Sequence, residues 1–184
     1  LGALMYRELF SYPKNGPEDI EPEHTYSFRY KNALFLMIDA TSPIEKQTKW
    51  IEKQLSGSDA AWKFAVFHFP PYNWEEPYRD IQEAWVPVFD QYHVDLVMGG
   101  HIHYYMRSKP MKGGQVVATP HEGTIYVISI AIPTTHREIP DEPYAVTRNT
   151  DGHLYQYVEI DGNQLSFTTL NAENKIIDSF HIKK

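Results

Sequence analysis

With 184 residues, of which 42% are hydrophobic and 14% aromatic, the chain carries enough apolar surface for one domain with a core, and the aromatic content argues against disorder. A formal net charge of −7 leaves no broad basic footprint for nucleic-acid backbone, and the absence of cysteine removes disulfide frameworks, thiol catalysis and cysteine zinc sites together. The opening LGALMYRELF shows no signal-peptide pattern and no window is apolar enough for a membrane helix, so the compartment stays open and any metal must use histidine, carboxylate or amide ligands.

In chain order, residues 11–24 are rich in Pro, Gly and acidic groups and predict a loop. Ala33–Asp39 predicts a strand. Ser42, Pro43 and Glu45 form an N-cap, a first-turn proline and a capping-box acid, so a helix is expected from there to about Leu55, with Ile44, Thr48, Ile51 and Leu55 on its buried stripe. The apolar runs Lys63–Phe67 and Val94–Met98 predict buried parallel strands, one ending in His68 and the other in Gly99-Gly100-His101. Between them Arg79–Tyr92 carries Ile81, Trp85, Val88, Phe89 and Tyr92 at helical spacing, with a kink expected at Pro87. Leu154–Ile160, Gln164–Leu170 and Lys175–Ile182 are strand-like segments separated by turn residues at Asp161-Gly162-Asn163 and Asn171–Asn174, which predicts a meander. Alternating strands and helices followed by a meander place the chain in the α/β class. The 13 tyrosines suit strand packing, with a sugar- or base-stacking surface as the alternative.

Two histidine clusters follow predicted strands directly, at the carboxyl ends where open α/β sheets place their ligands. In an extended segment His101 and His103 would project from one side, with α-carbons about 6.6 Å apart. That spacing suits one ligand to each of two metals about 3.5–4 Å apart. Gly99-Gly100 would permit a turn that a β-carbon obstructs. A lone H-x-H is also common as an ordinary surface pair; a second imidazole at an equivalent strand end, His68, strengthens the metal reading.

His68-Phe69-Pro70-Pro71-Tyr72 resembles the H-x-P-x-Y motif of purple-acid-phosphatase-related, calcineurin-like metallophosphoesterases. Gly100-His101-Ile102-His103-Tyr104-Tyr105-Met106-Arg107 resembles their G-H-x-H-x-Y-x-R motif, and both are matched at every fixed position. YSFRYKNALFLMIDA, Gly123-Thr124-Ile125-Tyr126-Val127 and the final meander are similar to later strands of the same family, so the likeness covers nearly the whole chain. The resemblance implies the later half of a four-layer αββα sandwich, with residues 1–184 as the carboxyl-terminal part of one domain. It implies a phosphatase or phosphodiesterase with a dinuclear centre of Fe, Zn or Mn, two divalent or mixed-valence ions with a hydroxide nucleophile between them. By the same resemblance His68 and His101 would bind one metal and His103 the other, while Tyr72, Tyr105 and Arg107 would contact substrate or line the rim. A secreted or periplasmic location is also part of that resemblance.

The family's D-x-H, G-D-x-x-D and G-N-H motifs have no credible copy here, so the bridging carboxylate, the asparagine ligand and the general acid are expected from outside this chain. Asp151-Gly152-His153 matches D-x-H in letters only and reads as a turn. Where plant-type members place a further histidine, this chain has Pro77 and Tyr78. His24, His93, His136 and His181 read as isolated structural or solvated residues, His121 as a rim candidate, and Asp95 as a hydrogen-bonding residue of its strand. Trp74, Tyr78 and Arg79 would line a substrate mouth or cap the next helix, and Thr134–Asp151 would be a lid or an inert loop. The rival function is a non-catalytic binding module on the same scaffold; a sugar-binding β-sandwich is disfavoured by the two α/β units. Beyond a phosphate-ester substrate, the expected partner is the amino-terminal half of the domain or a second copy, covering apolar faces at Ala33–Asp39 and Lys63–Phe67. Neither nucleic acid nor a membrane is expected.

Overall fold

The computed structural model describes residues 4–76, 78–129, 140–150 and 152–184. A short helix α1 (Leu4–Leu9) and an irregular stretch lead to β1 (Tyr26–Tyr30), antiparallel to β2 (Ala33–Met37). Helix α2 (Ile44–Ser56) connects to β3 (Trp62–Val66), and α3 (Arg79–Ala84) with α4 (Val86–Tyr92) connects to β4 (Leu96–Gly99). Then come β5 (Tyr105–Ser108), a small hairpin of β6 (Met111–Lys112) and β7 (Gln115–Val116), β8 (Ile125–Ile128) and β9 (Ala145–Asn149). The meander is β10 (Leu154–Asp161), β11 (Gln164–Asn171) and β12 (Ile176–Lys183). The result is a mixed α/β domain with a seven-stranded sheet, in the order β1-β2-β3-β4-β8-β5-β9, and a carboxyl-terminal meander, consistent with a metallophosphoesterase sandwich.

Strands β2, β3, β4 and β8 are parallel, and their register sorts side chains onto two faces. Leu36, Ala65, Val97 and Tyr126 form a row toward the helices, where Ile51, Leu55, Trp85 and Phe89 cover them. The next row, Phe35, Phe64, Leu96 and Ile125, faces the meander and its Leu165, Phe167 and Ile182. Burial on both faces is why these strands read as continuous apolar runs rather than alternating ones.

Three helix details differ from expectation. Ser42 does not cap α2; its hydroxyl donates to Asp39 Oδ2 at 2.7 Å, and Pro43 stands at the cap without a side-chain bond. The buried stripe includes Gln47 and Trp50, which were not expected, while Thr48 is half-buried. Gln47 is tolerated there because Thr25 Oγ1 donates to its Oε1 at 2.6 Å and its Nε2 donates to the Asp39 carbonyl at 2.9 Å. Arg79–Tyr92 is two helices rather than one kinked helix, since Pro87 in the first turn of α4 cannot donate back to the preceding turn. The segment expected as a lid is partly sheet: residues 145–149 are β9, an edge strand on β5. His136 and the rest of 130–139 lie outside the described residues, as do Pro77 and Asp151.

The meander is fastened by polar contacts as well as apolar ones. Asp161 pairs with Gln164 across a two-residue turn in which Gly162 takes φ 55°, a left-handed conformation that suits glycine. The Gly162 carbonyl accepts from Trp62 Nε1 at 3.0 Å and from Asn32 Nδ2 at 2.9 Å. Lys184 pairs with buried Asp95 at 2.6 Å, and the other Asp95 oxygen accepts from the Lys63 amide at 2.8 Å. Strand β3 is therefore covered on both faces, against the expectation that it would be left open. On β1, Phe28 is 40% and Tyr30 65% exposed, and Val146 of β9, Tyr157 of β10 and Ile176 of β12 are open as well. Among the described residues no helix is long and apolar enough to cross a membrane.

Phe167 is fully buried and stacks on Phe180 with centroids 4.9 Å apart. Phe167→Ala should lower unfolding free energy by about 3–5 kcal/mol in a denaturant titration; a loss under about 1 kcal/mol would mean that the meander is not packed on the sheet.

Candidate metal centre

The sheet ladder continues past the strand ends and builds a rim. Phe67 N–H donates to the Met98 carbonyl at 3.1 Å, Gly100 N–H to the His68 carbonyl at 3.0 Å, and Ser129 N–H to the Gly99 carbonyl at 3.0 Å. These bonds bring the ends of β3, β4 and β8 level and put His68 beside the Gly99-Gly100 turn. Gly99 is packed closely, since a β-carbon there would lie 3.2 Å from Pro70 Cβ.

The turn itself differs from the expected extended segment. The left-handed residue is His101, with φ 62°, and neither Gly99 nor Gly100 has positive φ. Ile102 N–H donates to the Gly100 carbonyl at 2.7 Å and Tyr104 N–H to the Ile102 carbonyl at 2.9 Å, so residues 100–104 are wound tightly. Alternation survives this winding: Ile102 and Tyr104 are buried while His101 and His103 are exposed on the outer side. Left-handed backbone at a non-glycine residue costs about 1–2 kcal/mol and is held only where surroundings over-determine it, a pattern that clusters at functional sites.

His68 Nε2 and His101 Nδ1 face each other at 3.1 Å. Two nitrogen ligands 2.0–2.1 Å from one tetrahedral ion stand about 3.3 Å apart, so the pair fits two positions of a shared metal. His103 is near enough for its charge to bear on His68. Burial, then the positive charge of His101 and of His103, lowers the His68 pKa below 6.5, which favours the neutral, ligating form. Among the described residues no group of three or more metal-ligating side chains is assembled, so the donor set is partial.

Aromatic rings frame the pair. Phe69 and Tyr78 lie edge-on to His101 at 4.8 and 6.0 Å, and Glu76 Oε2 stands 3.9 Å from His101 Nε2 while accepting from the Tyr78 hydroxyl at 2.6 Å. Asn73, which the sequence reading passed over, shapes this loop: its Oδ1 accepts from the amides of Glu75 and Glu76, and its Nδ2 donates to the carbonyls of Pro70 and Glu76. An asparagine followed two and three residues on by such amides is an Asx-turn signal that the sequence carries. Trp74 turns inward and stacks on Tyr104 at 6.3 Å, and Arg79 begins α3.

The structure distributes the remaining candidates. Tyr72 packs edge-on against Tyr126 at 4.7 Å, and burial pushes its hydroxyl up to about 12. Tyr105 is fully buried and, with Arg107, faces the meander rather than the open rim: the Tyr105 hydroxyl donates to Asp178 Oδ2 at 2.8 Å, and Arg107 Nε and Nη2 donate to the same carboxylate at 2.6 and 2.9 Å. These donors are therefore engaged within the fold. His24, read from sequence as isolated, is paired through Nδ1 with Asp39 Oδ2 at 3.1 Å and lines an open cleft of about 480 Å³ together with His68, Gly99 and Gly100. Sequence spacing could not show this, because β1 returns antiparallel beside β2. His93 approaches Asp95 at 3.4 Å, His181 bonds Ser166 at 2.9 Å, and His121 is exposed in a turn. Gly152 takes φ 80°, in keeping with a turn there.

Because neighbouring charge is part of what lowers the His68 pKa, its imidazole should titrate below 6.5 in the metal-free chain, and His101→Ala should move the midpoint part of the way back up. Histidine-resolved proton NMR against pH checks this; a midpoint unchanged by the substitution would separate the two rings.

Comparison with known proteins agrees with this geometry. The family model described as calcineurin-like phosphoesterase matches residues 10–105. A phosphoenolpyruvate phosphatase from Allium cepa is 33% identical over 93 residues, which is 45% of this chain and 19% of that protein. A purple acid phosphatase from Glycine max is 30% identical over 117 residues, 56% of this chain and 24% of the relative, so the chain spans under a quarter of the length of each of these two relatives. Among solved structures, the purple acid phosphatase PPD1 from yellow lupin seeds superposes with a TM-score of 0.69 at 20% identity, covering 86% of this chain and 32% of that one. GAP50, described as the anchor in the inner membrane complex of Plasmodium, does so with 0.69 at 14% identity, covering 89% and 56%. These two show a shared fold. With a family model spanning half its length, the chain belongs to the calcineurin-like phosphoesterases, in a form related to purple acid phosphatases.

Proposed function

We propose that this chain is the later part, residues 1–184, of a single phosphoester-hydrolysing domain with a dinuclear metal centre. His68 and His101 would hold one ion and His103 the other, with the bridging carboxylate, the remaining ligands and the general acid supplied from outside this chain. The observation that carries the reading is the 3.1 Å approach of His68 Nε2 to His101 Nδ1 at neighbouring strand ends. When bound, such ions supply Lewis-acid stabilisation of phosphoryl charge and activate the nucleophile. This chain's own part is to present the imidazoles and to hold His101 edge-on to the stacked rings of Phe69 and Tyr78. Iron and zinc suit imidazole donors, manganese would rely more on carboxylate ligands from outside this chain, and the substrate is a phosphate ester. A secreted or periplasmic setting belongs to the same reading.

The partial donor set among the described residues favours one second reading, a binding module that keeps the phosphoesterase scaffold without turnover. In either case the open aromatics of β1, Phe28 at 40% and Tyr30 at 65% exposure, suit cover by the other half of a sandwich or by a second copy.

Three measurements follow. Calorimetry with Zn²⁺ or Mn²⁺ should show weak binding that strengthens as pH rises, because the metal competes with protons for the imidazoles. Binding unchanged in a His101→Ala, His103→Ala double variant would sink the assignment. Hydrolysis of 4-nitrophenyl phosphate by the chain alone should be at least tenfold slower than by a longer protein carrying the missing motifs; equal rates would move the chemistry to other residues. Light scattering over a concentration series should show association, and a cooperatively folded monomer throughout would remove the need for a covering partner.

A further inference from the structure

The two histidines of the second motif sit on a five-residue turn, 100–104, whose far end is anchored by β5. That strand is four residues long; it pairs with β8 at Met106 and Arg107 and with the short edge strand β9 along its length, so its outer support is itself an edge. Its two residues facing the meander, Tyr105 and Arg107, converge on one carboxylate, Asp178 of β12. Tyr105 Oη donates to Oδ2 at 2.8 Å, Arg107 Nε to Oδ2 at 2.6 Å and Nη2 to Oδ1 at 2.9 Å, while Thr147 Oγ1 of β9 donates to Oδ1 at 3.3 Å. The Asp178 side chain is 5% exposed and that of Arg107 12%, and the guanidinium also lies 4.8 Å from the Phe180 ring. A bidentate pair of this kind has directional geometry, so it fixes position as well as neutralising charge.

We propose that Asp178 is a positioning residue of the histidine site: by gripping Tyr105 and Arg107 it sets where the turn carrying His101 and His103 ends, and with it the direction of both imidazoles. The inference rests on the metal-site reading above and extends it to the meander, 73 residues along the chain from Tyr105. It also gives the Y-x-R part of the second motif a role at this carboxylate. Burial would raise the Asp178 pKa, yet donation from Arg107 and Tyr105 outweighs it and the carboxyl is held below the usual 3.8, so the clamp is charged at neutral pH.

The test is imidazole-resolved NMR on the metal-free 184-residue chain, with Zn²⁺ titration alongside. Asp178→Asn should shift the ring signals of His101 and His103, leave that of His121 in place, and weaken Zn²⁺ binding tenfold or more, with Asp178→Glu recovering part of the loss. Tyr105→Phe, which deletes one hydroxyl and keeps the ring, should move the same two signals by less, and it carries the test if Asp178→Asn does not fold. Leu165→Ala loosens the same meander at its other end, where Leu165 pairs with Ile182 away from the clamp, and should leave both signals unmoved. Unmoved signals in Asp178→Asn, or in Tyr105→Phe if only that variant folds, would overturn the proposal. So would equal movement in Leu165→Ala. If the wild-type chain bound no Zn²⁺ while the signals moved as expected, the metal reading would fail and the positioning role would stand.

Discussion

Two-sided burial of the parallel strands β2, β3, β4 and β8 is the constraint on which the rest of the structure depends. A sheet with one wet face tolerates polar residues at every second position; this one does not through Phe64, Ala65, Leu96 and Val97, each at most 1% exposed. Helices must close one face and the meander the other. That requirement draws 30 residues of carboxyl-terminal chain back across the sheet, from Leu154 to Lys183 by the bounds of β10 and β12. It also forces buried polar groups to find partners, as Gln47, Asp95 and Asp178 do.

The same constraint explains where the chemistry sits. With both faces filled, only the strand ends are free to offer side chains to solvent, and the carboxyl ends of β3 and β4 deliver His68 and the Gly99-Gly100-His101 turn to one rim. The price of that placement is the left-handed backbone at His101, held by the ladder on one side and by β5 on the other. Apolar rings from the 68–78 loop then fix the imidazole edge-on, and Asn73 holds the loop that supplies them.

Coverage is uneven on the meander face. Tyr12, Tyr26, Phe28, Phe35 and Phe64 form a run of stacked rings, with successive centroids 4.8, 6.4, 4.9 and 4.8 Å apart, that passes through the exposed ring of Phe28 and ends in the core. The meander reaches Phe64 but leaves Phe28 and Tyr30 open. Stacking shelters part of each ring even where nothing lies above it, which helps an apolar β1 to persist at the border of the sheet.

Much of this was legible in the residues themselves. Apolar runs such as Lys63–Phe67 and turn residues such as Asp161-Gly162-Asn163 marked strands and meander because hydrophobic periodicity and left-handed turns are local properties. The strand-end histidines were equally visible, since a motif of fixed spacing needs no knowledge of distant chain. The short strands at this end of the sheet were not: β5 and the edge strand β9 exist through their neighbours, and their own sequences carry little periodicity. Which residue would take the left-handed turn could not be read from Gly99-Gly100-His101, because the choice fell to the ladder bonds around it. Nor could His24 be joined to Asp39, or Tyr105 and Arg107 to Asp178, since those contacts span 15, 73 and 71 positions and arise only when strands lie side by side. The sequence by itself determined the element types and the imidazoles at the strand ends, because those depend on neighbours along the chain. The tertiary structure alone decided which donors face the rim and which are spent inside, because that depends on the layers that burial forces together.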